Sequence, residues 1–307
     1  MNPKISVIFP VGNREAYLAE ALESILTQTF ADFELIVVLD GVPAAVQAIV
    51  QGYSDVRLRV IELPMNLGVS NARNVAMLAA RAPYMALMDS DDVAAPQRLA
   101  IQYEWMQAHT DVTVCGSNSV KLLEDGRRAS MHYPETDGQI KARLLLVDSA
   151  ILNPTALLRS DFIHHHALRY DANLPRDHDH RFYVEMTRLG ATFYGLQQEL
   201  LLYRRHAGNA TQDQQGVDAE KTRVREVLAP LYFPELTGNE SAMLLKGLCQ
   251  QVQMTVEEAC YFVSVVNKAA EEARVFRGED RAELSRILQS YKDRVLQSLV
   301  GAEQTRP

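Results

Sequence analysis

Hydrophobic and polar positions in the first 120 residues follow two alternating periods. Ile5-Ser6-Val7-Ile8-Phe9 is a short β-branched run that stops at Pro10 and predicts a strand. Between Arg14 and Gln28 the apolar positions Tyr17, Leu18, Ala21, Leu22, Ile25 and Leu26 fall on one helical face. Phe33 to Leu39 is an apolar run interrupted only by Glu34, as expected for a strand buried on both sides. A helix is expected over 43–53. Val56, Leu58 and Val60 alternate with Arg57 and Arg59 and predict a strand with one polar face. Helices are expected over 70–81, with Ser70 or Asn71 near the N-cap, and over 96–109, and strands over 84–88 and 112–117.

The repeating strand–helix order predicts a largely parallel α/β sheet with helices on both faces. Ligands in such sheets bind beyond the carboxyl ends of the strands. The polar residues at those ends are Gly12-Asn13-Arg14, Asp40-Gly41 and Asp89-Ser90-Asp91-Asp92. Further on, Glu124-Asp125-Gly126 reads as a turn, 138–147 as a helix and 155–159 as a strand. Residues 177–189 read as a helix closed by Gly190, and 192–196 and 200–204 as two short strands. From about residue 212 the texture becomes helical, with Leu244, Leu245, Leu248 and Val252, and again Leu284, Ile287, Leu288, Tyr291, Val295 and Leu299, at helical spacing.

Three segments carry candidate chemistry. The carboxylates of Asp89, Asp91 and Asp92 crowd the end of a hydrophobic strand, where mutual repulsion would be relieved by a divalent cation. Asp92 alone could instead cap the next helix. Asp177-His178-Asp179-His180 reads equally as a catalytic base region and as an acidic helix start. Its histidines, two apart, would point to different helix faces, which argues against a two-histidine metal site. Arg204-Arg205-His206 could meet a diphosphate or form a solvated loop. His164-His165-His166 is a weaker metal candidate. Neither GxGxxG nor GxxxxGK[ST] occurs, so dinucleotide and P-loop fingerprints are excluded.

Taken in order, these segments resemble the family 2 glycosyltransferases. The resemblance rests on residues 5–13, on 24–38 and on Asn66-Leu67-Gly68-Val69-Ser70-Asn71-Ala72-Arg73-Asn74. It continues through Asp89-Ser90-Asp91-Asp92 with Pro96 and Arg98-Leu99, through Asn153-Pro154-Thr155, and through Tyr203-Arg204-Arg205-His206. It spans about residues 3–210 and is silent on the substrate. It implies a GT-A fold with a C-terminal helical segment: a transferase domain over 1–211, its nucleotide-sugar part about 1–120 and its acceptor part about 121–211, followed by 212–307. The implied activity is inverting transfer from a nucleoside-diphosphate sugar, a UDP-sugar in first place, with Mn²⁺ or Mg²⁺ on a DxD motif. Hexosyl or N-acetylhexosaminyl transfer in cell-surface polysaccharide or glycoconjugate synthesis is the implied setting. By position, Asp177 is the implied catalytic base. Pro10, Val11, Asn13, Arg14, Asp40, Arg73, Asp89 and Ser90 are implied to bind the nucleotide, Asp91 and His206 the metal, and Arg204 the diphosphate.

Two alternatives stand beside this. Gly12 and Arg176 depart from the family pattern, which leaves a catalytically degenerate nucleotide-sugar-binding scaffold as one reading. Asp89-Ser90-Asp91-Asp92-Val93 also fits the DxDx[TV] signature of haloacid-dehalogenase-type phosphatases, but that signature follows a first strand, and about three strand–helix units precede it here.

Composition narrows the setting. The 307 residues are 47% hydrophobic and 23% charged, which excludes collagen, coiled coil and wholesale disorder. A net charge of −8 disfavours nucleic acid as a partner. Three cysteines, Cys115, Cys249 and Cys260, exclude a disulfide scaffold and a cysteine-based zinc site and fit a reducing compartment. No transmembrane run or signal peptide is expected, so the expected location is cytoplasmic. A lipid-linked or glycan acceptor would bring the chain to the inner face of the membrane. The amphipathic C-terminal helices suggest a homodimer or a membrane-docking surface.

Overall fold

The computed structural model describes residues 2–14, 16–145, 150–174, 178–206, 217–248, 254–273 and 278–304. The chain divides into two compact units. One comprises residues 1–135 and 151–212, the other 136–150 and 213–307.

The first unit is built on one sheet. Its strands are β1 (Ile5–Val11), β2 (Phe33–Asp40), β3 (Leu58–Leu63), β4 (Tyr84–Leu87), β5 (Val93–Ala94), β6 (Val114–Leu122), β7 (Arg128–Met131), β8 (Leu157–Arg159) and β9 (Phe193–Arg204). They lie in the order β3-β2-β1-β4-β8-β6-β9-β5, with β7 on β6. The helices α1 (Leu18–Leu26), α2 (Ala44–Gln51), α3 (Val69–Ala79) and α4 (Arg98–Ala108) alternate with the early strands. Every residue of β1, β2 and β4 is buried, so both sides of the central sheet are covered. β1, β2, β3 and β4 are mutually parallel, as the strand–helix alternation predicts. Beyond β4 the sheet is mixed. β8 enters antiparallel between β4 and β6, and β6 pairs parallel with β9.

Four local expectations need correction. The strand expected from Val56 begins at Leu58, and Val56 is fully exposed. Arg57 is the reason: it folds back on Asp55 (Nη2–Oδ2 2.7 Å), donates to the Leu26 carbonyl and lies over the Phe33 ring, so it takes the inward place. α3 starts at Val69 with Gly68 as its cap, not Ser70 or Asn71. Gly68 takes φ +88°, a conformation open to glycine without a Cβ penalty. The two short strands expected at 192–196 and 200–204 form one strand, β9. Opposite β6 it is bulged, with Ser117 facing Leu196 and Ser119 facing Leu201. Finally, β5 has no counterpart in the sequence reading. Its Val93 and Ala94 pair antiparallel with Leu202 and Leu201.

α5 (Asp137–Leu144) belongs to the second unit, although it lies between β7 and β8 in sequence. Thr136 caps it through a capping box with Gln139 and also donates to Asp280 Oδ1. In the first unit, α6 (Ser160–His165) and α7 (His178–Arg188) follow β8. The remaining helices are α8 (Val217–Tyr232), α9 (Gly238–Leu248), α10 (Val256–Glu272) and α11 (Gly278–Gln304). Leu244, Leu248, Leu284, Ile287, Leu288 and Tyr291 are buried there, as their helical spacing predicts. Arg225 is buried in the same unit, with Nε donating to the Leu145 carbonyl and Nη2 to Tyr291 Oη. Among the described residues no helix is long and apolar enough to cross a membrane.

Candidate active site

The carboxyl ends of β1, β2 and β4 carry the candidate residues to one edge of the sheet. Pro10 and Val11 are buried at the end of β1, while Asn13 and Arg14 are exposed. Asp40, 2% exposed, ends β2. Its Oδ1 accepts from Leu67 N at 2.7 Å and its Oδ2 from Gly68 N at 2.8 Å. It therefore holds the loop that leads into α3, and its charge faces the positive end of that helix. Gly41 follows at φ +59°, where a Cβ would stand 2.2 Å from Asn66 N. The same loop is thus pinned at two adjacent positions.

Asp89, Ser90 and Asp91, half-buried, form the turn after β4, and Asp92 is fully buried. β5 follows at once and draws the end of β9 alongside. The result is a compact polar set. His206 Nε2 lies 3.1 Å from Asp91 Oδ2, and Arg14 Nη1 donates to His206 Nδ1 at 2.8 Å. The same Nη1 lies 3.1 Å from Nε2, so Arg14 sits against both ring nitrogens. Arg204 N donates to Asp92 Oδ1 at 2.9 Å, so Asp92 fastens β9 rather than capping the next helix, whose N-cap is Gln97. Asp92 Oδ2 has no hydrogen-bond partner among the described residues. The Arg204 side chain reaches Asp91 O through Nε, Glu20 Oε2 through Nη2 at 2.6 Å, and the Tyr17 ring at 4.3 Å.

Electrostatics at this edge follow from burial and crowding. Burial, then the neighbouring Asp89 charge, holds the Asp91 carboxyl above the usual carboxylate range, with His206 pulling the other way. Burial, then Asp89 and Asp91, pushes Asp92 well above it. Behind them Arg98 is fully buried, donating to Leu87 O and Gln102 Oε1. Burial works against its charge, and the Asp92 and Asp89 charges support it.

Arg73 of α3 is also buried. Nη2 donates to Asp89 Oδ1 and Nη1 to His178 Nε2 at 2.8 Å. Burial, and then the Arg73 charge, holds His178 below its usual 6.5. Tyr170 lies beside Arg73, its Oη donating to Asn153 Oδ1 at 2.9 Å. Asp177 lies outside the described residues, and α7 begins at the next residue.

The Asp91 carboxylate suits a hard divalent cation, and the His206 imidazole stands beside it, with Asp89 two residues away. Among the described residues no group of three or more His, Cys, Asp or Glu side chains could enclose a metal alone, the 164–166 histidines included. Mg²⁺-type ions commonly take one or two protein carboxylates and complete their shell with substrate phosphates and water. Sequence reasoning missed Tyr17, Glu20 and the roles of Asp40 and Asp92. Tyr17, Glu20 and Asp92 work through contacts to the end of β9 and Asp40 through the loop into α3, which no local spacing announces.

Residues 6–166 match the sequence profile described as glycosyl transferase family 2. An uncharacterized glycosyltransferase of Methanocaldococcus jannaschii is 31% identical over 208 residues, covering 66% of this chain and 71% of that one. The O-antigen biosynthesis glycosyltransferase WbnJ of Escherichia coli is 31% identical over 162 residues, covering 52% and 63%. Among solved structures, Staphylococcus aureus TarS 1–349 in complex with UDP-GlcNAc superposes with a TM-score of 0.65 at 18% identity, covering 99% of this chain and 92% of that one. The mannosyltransferase PcManGT of Pyrobaculum calidifontis, in complex with GDP-Man and Mn²⁺, gives 0.51 at 13% identity, covering 98% and 87%.

Proposed function

Since the chain belongs to glycosyl transferase family 2, with a fold of GT-A type and a helical C-terminal part, we propose that it is an inverting, metal-dependent enzyme that uses a UDP-sugar. The observation that carries this reading is the approach of His206 to Asp91 at the carboxyl end of β4, with Arg204 beside them. Two cationic or metal-ligating side chains and a carboxylate meet where a leaving diphosphate would develop charge.

In this reading the nucleotide lies across the ends of β1 and β2, on Pro10, Val11, Asn13 and Arg14, near Asp40, Arg73, Asp89 and Ser90. Asp91 and His206 would hold Mn²⁺ or Mg²⁺, which when bound would neutralise charge on the diphosphate. Arg204 supports the diphosphate, and its ion pair with Glu20 keeps it extended toward that edge. Asp177 accepts the proton of the acceptor hydroxyl. The freed oxygen attacks the anomeric carbon as the bond from that carbon to the diphosphate oxygen breaks, and its electron pair leaves with the nucleoside diphosphate. One displacement gives one inversion.

The UDP preference draws support from the UDP-GlcNAc in TarS, and metal dependence from the Mn²⁺ in PcManGT. A hexosyl or N-acetylhexosaminyl group is the proposed cargo. The acceptor is a glycan or lipid-linked saccharide in cell-surface polysaccharide or glycoconjugate synthesis on the cytoplasmic side, and the O-antigen biosynthesis for which WbnJ is named supports the polysaccharide part of that setting. Thermal shift with UDP, GDP, dTDP and CMP compounds, each with Mn²⁺, Mg²⁺ or EDTA, tests the reading. Stabilisation by UDP compounds that is lost in EDTA is the expected result. Shifts with GDP compounds alone would replace the donor class. No shift with any nucleotide would overturn the reading.

A further inference from the structure

Beside the Asp89 turn lies a buried polar cluster through which the donor-site residues Arg73 and Asp89 meet α7. Its centre is the Arg73 guanidinium, which spans two partners from different elements: Asp89 after β4 and His178 at the first position of α7. A guanidinium is planar and forked, so fixing one arm on Asp89 fixes the direction of the other. The supports around it are themselves tied down. Asn74, next to Arg73 on α3, donates through Nδ2 to Tyr170 O and accepts from Tyr170 N, both at 2.8 Å. Asn153 Oδ1 accepts from Tyr170 Oη and from Tyr183 Oη of α7, at 2.9 and 3.1 Å. α3, the Asp89 turn, the Asn153 segment and α7 therefore meet around one cation. A charge removed from water in this way destabilises the fold unless both arms are satisfied.

We propose that Arg73 and His178 form a positioning pair that sets the head of α7, the helix that Asp177 precedes in sequence, relative to the Asp89 side of the donor site. The pair touches no reacting atom in this scheme. It rests on the function proposed above, and it extends that function by linking the donor side to the base side through named residues. Its specific requirement is an acceptor atom at the His178 Nε2 position. Gln in place of His178 keeps such an atom, and Leu removes it while retaining bulk.

The test uses the full chain and two readouts. Mn²⁺-dependent binding of UDP, by titration calorimetry, reports the donor side. Release of UDP from UDP-GlcNAc into water, or of GDP from GDP-mannose should GDP be the nucleotide that binds, reports the chemical step. His178→Leu is expected to slow release at least about tenfold, with nucleotide affinity within about threefold of wild type, since small misplacements of a reacting group cost rate rather than binding. His178→Gln is expected to restore release to within about threefold of wild type. Equal rates for Leu and Gln variants, or a wild-type rate for Leu, overturn the pair while leaving nucleotide binding intact. Should His178→Leu fail to fold, His178→Met serves instead. Its thioether is at most a weak acceptor, and the same split between affinity and rate is expected. Wild-type chain that binds neither UDP nor GDP with Mn²⁺ refutes the proposed function itself, and the pair falls with it.

Discussion

His206 Nε2 stands 3.1 Å from Asp91 Oδ2, although 115 residues separate the two in sequence. The approach is made by two residues of β5, which follow the Asp89–Asp92 turn and pair with Leu201 and Leu202 of β9. Asp92 adds a hydrogen bond to Arg204 N. The turn and the end of β9 are thereby registered to each other by main-chain geometry before any ligand arrives.

His206→Ala is accordingly expected to weaken Mn²⁺-dependent nucleotide binding by about 10–100-fold, and Asp91→Ala by at least as much. Nucleotide affinity in EDTA should be alike for wild type and both variants. The affinity also carries a pH signature. Because the Asp91 carboxyl is held above its usual value, protons compete with the metal at higher pH than they would for a free aspartate. Titrating Mn²⁺ at a series of pH values should show affinity falling as pH drops toward the acid range, and a flat profile would refute this assignment of Asp91.

Asp177→Asn should retain nucleotide binding within about twofold and lose transfer by about 10²–10⁴-fold, the usual worth of a general base. Product release measured at saturating donor separates the two effects. Near wild-type turnover would remove Asp177 from the mechanism.

Glu34 on β2 predicts an acid-sensitive fold. Burial raises its pKa, but hydrogen bonds from Ser6, Arg59 and the Arg81 amide outweigh burial and leave the carboxyl below 4.5. A carboxyl whose folded value is depressed contributes stability that is complete above the unfolded value, near 4.5, and lost as pH falls through the folded one. Wild type should therefore lose more stability than Glu34→Gln on passing from pH 6 to about pH 3. Urea midpoints for both proteins at each pH check the sign.

Gly41→Ala should destabilise the first unit by at least about 2–3 kcal/mol, because a left-handed conformation and a backbone clash coincide there. Gly12→Ala, where a Cβ meets nothing within 4 Å, is the control and should be close to neutral. Chemical denaturation of the two variants decides the matter.

The parallel half of the sheet was legible because burial on both faces writes an unmistakable signal. Ile5–Phe9, Phe33–Leu39 and Tyr84–Met88 have no polar alternation, and all three became central strands. Asp89 and Asp91 were legible for the same reason, as charges stationed where such a strand must end. β5 was not, since two residues cannot show a period. β8, which enters antiparallel beside β4, follows a connection whose direction no local pattern records. Val56 misled because alternation was read without the Asp55–Arg57 ion pair that turns the chain. Asp40 matched a family position, yet its two oxygens serve Leu67 and Gly68, a task set by a loop 27 and 28 residues away.

The bulged pairing of β9 against β6 has a bearing on how such a chain tolerates change. From Leu196 to Leu201, β9 advances five residues while β6 advances only two, from Ser117 to Ser119. That slack works as an expansion joint. An indel within 197–199 can be taken up there, and the stretch that pairs with β5 keeps its footing. The same indel between Leu202 and His206 has nothing to absorb it and would carry the imidazole off Asp91. Length variation in this chain is therefore expected to cost less on one side of the joint than on the other, a few residues away.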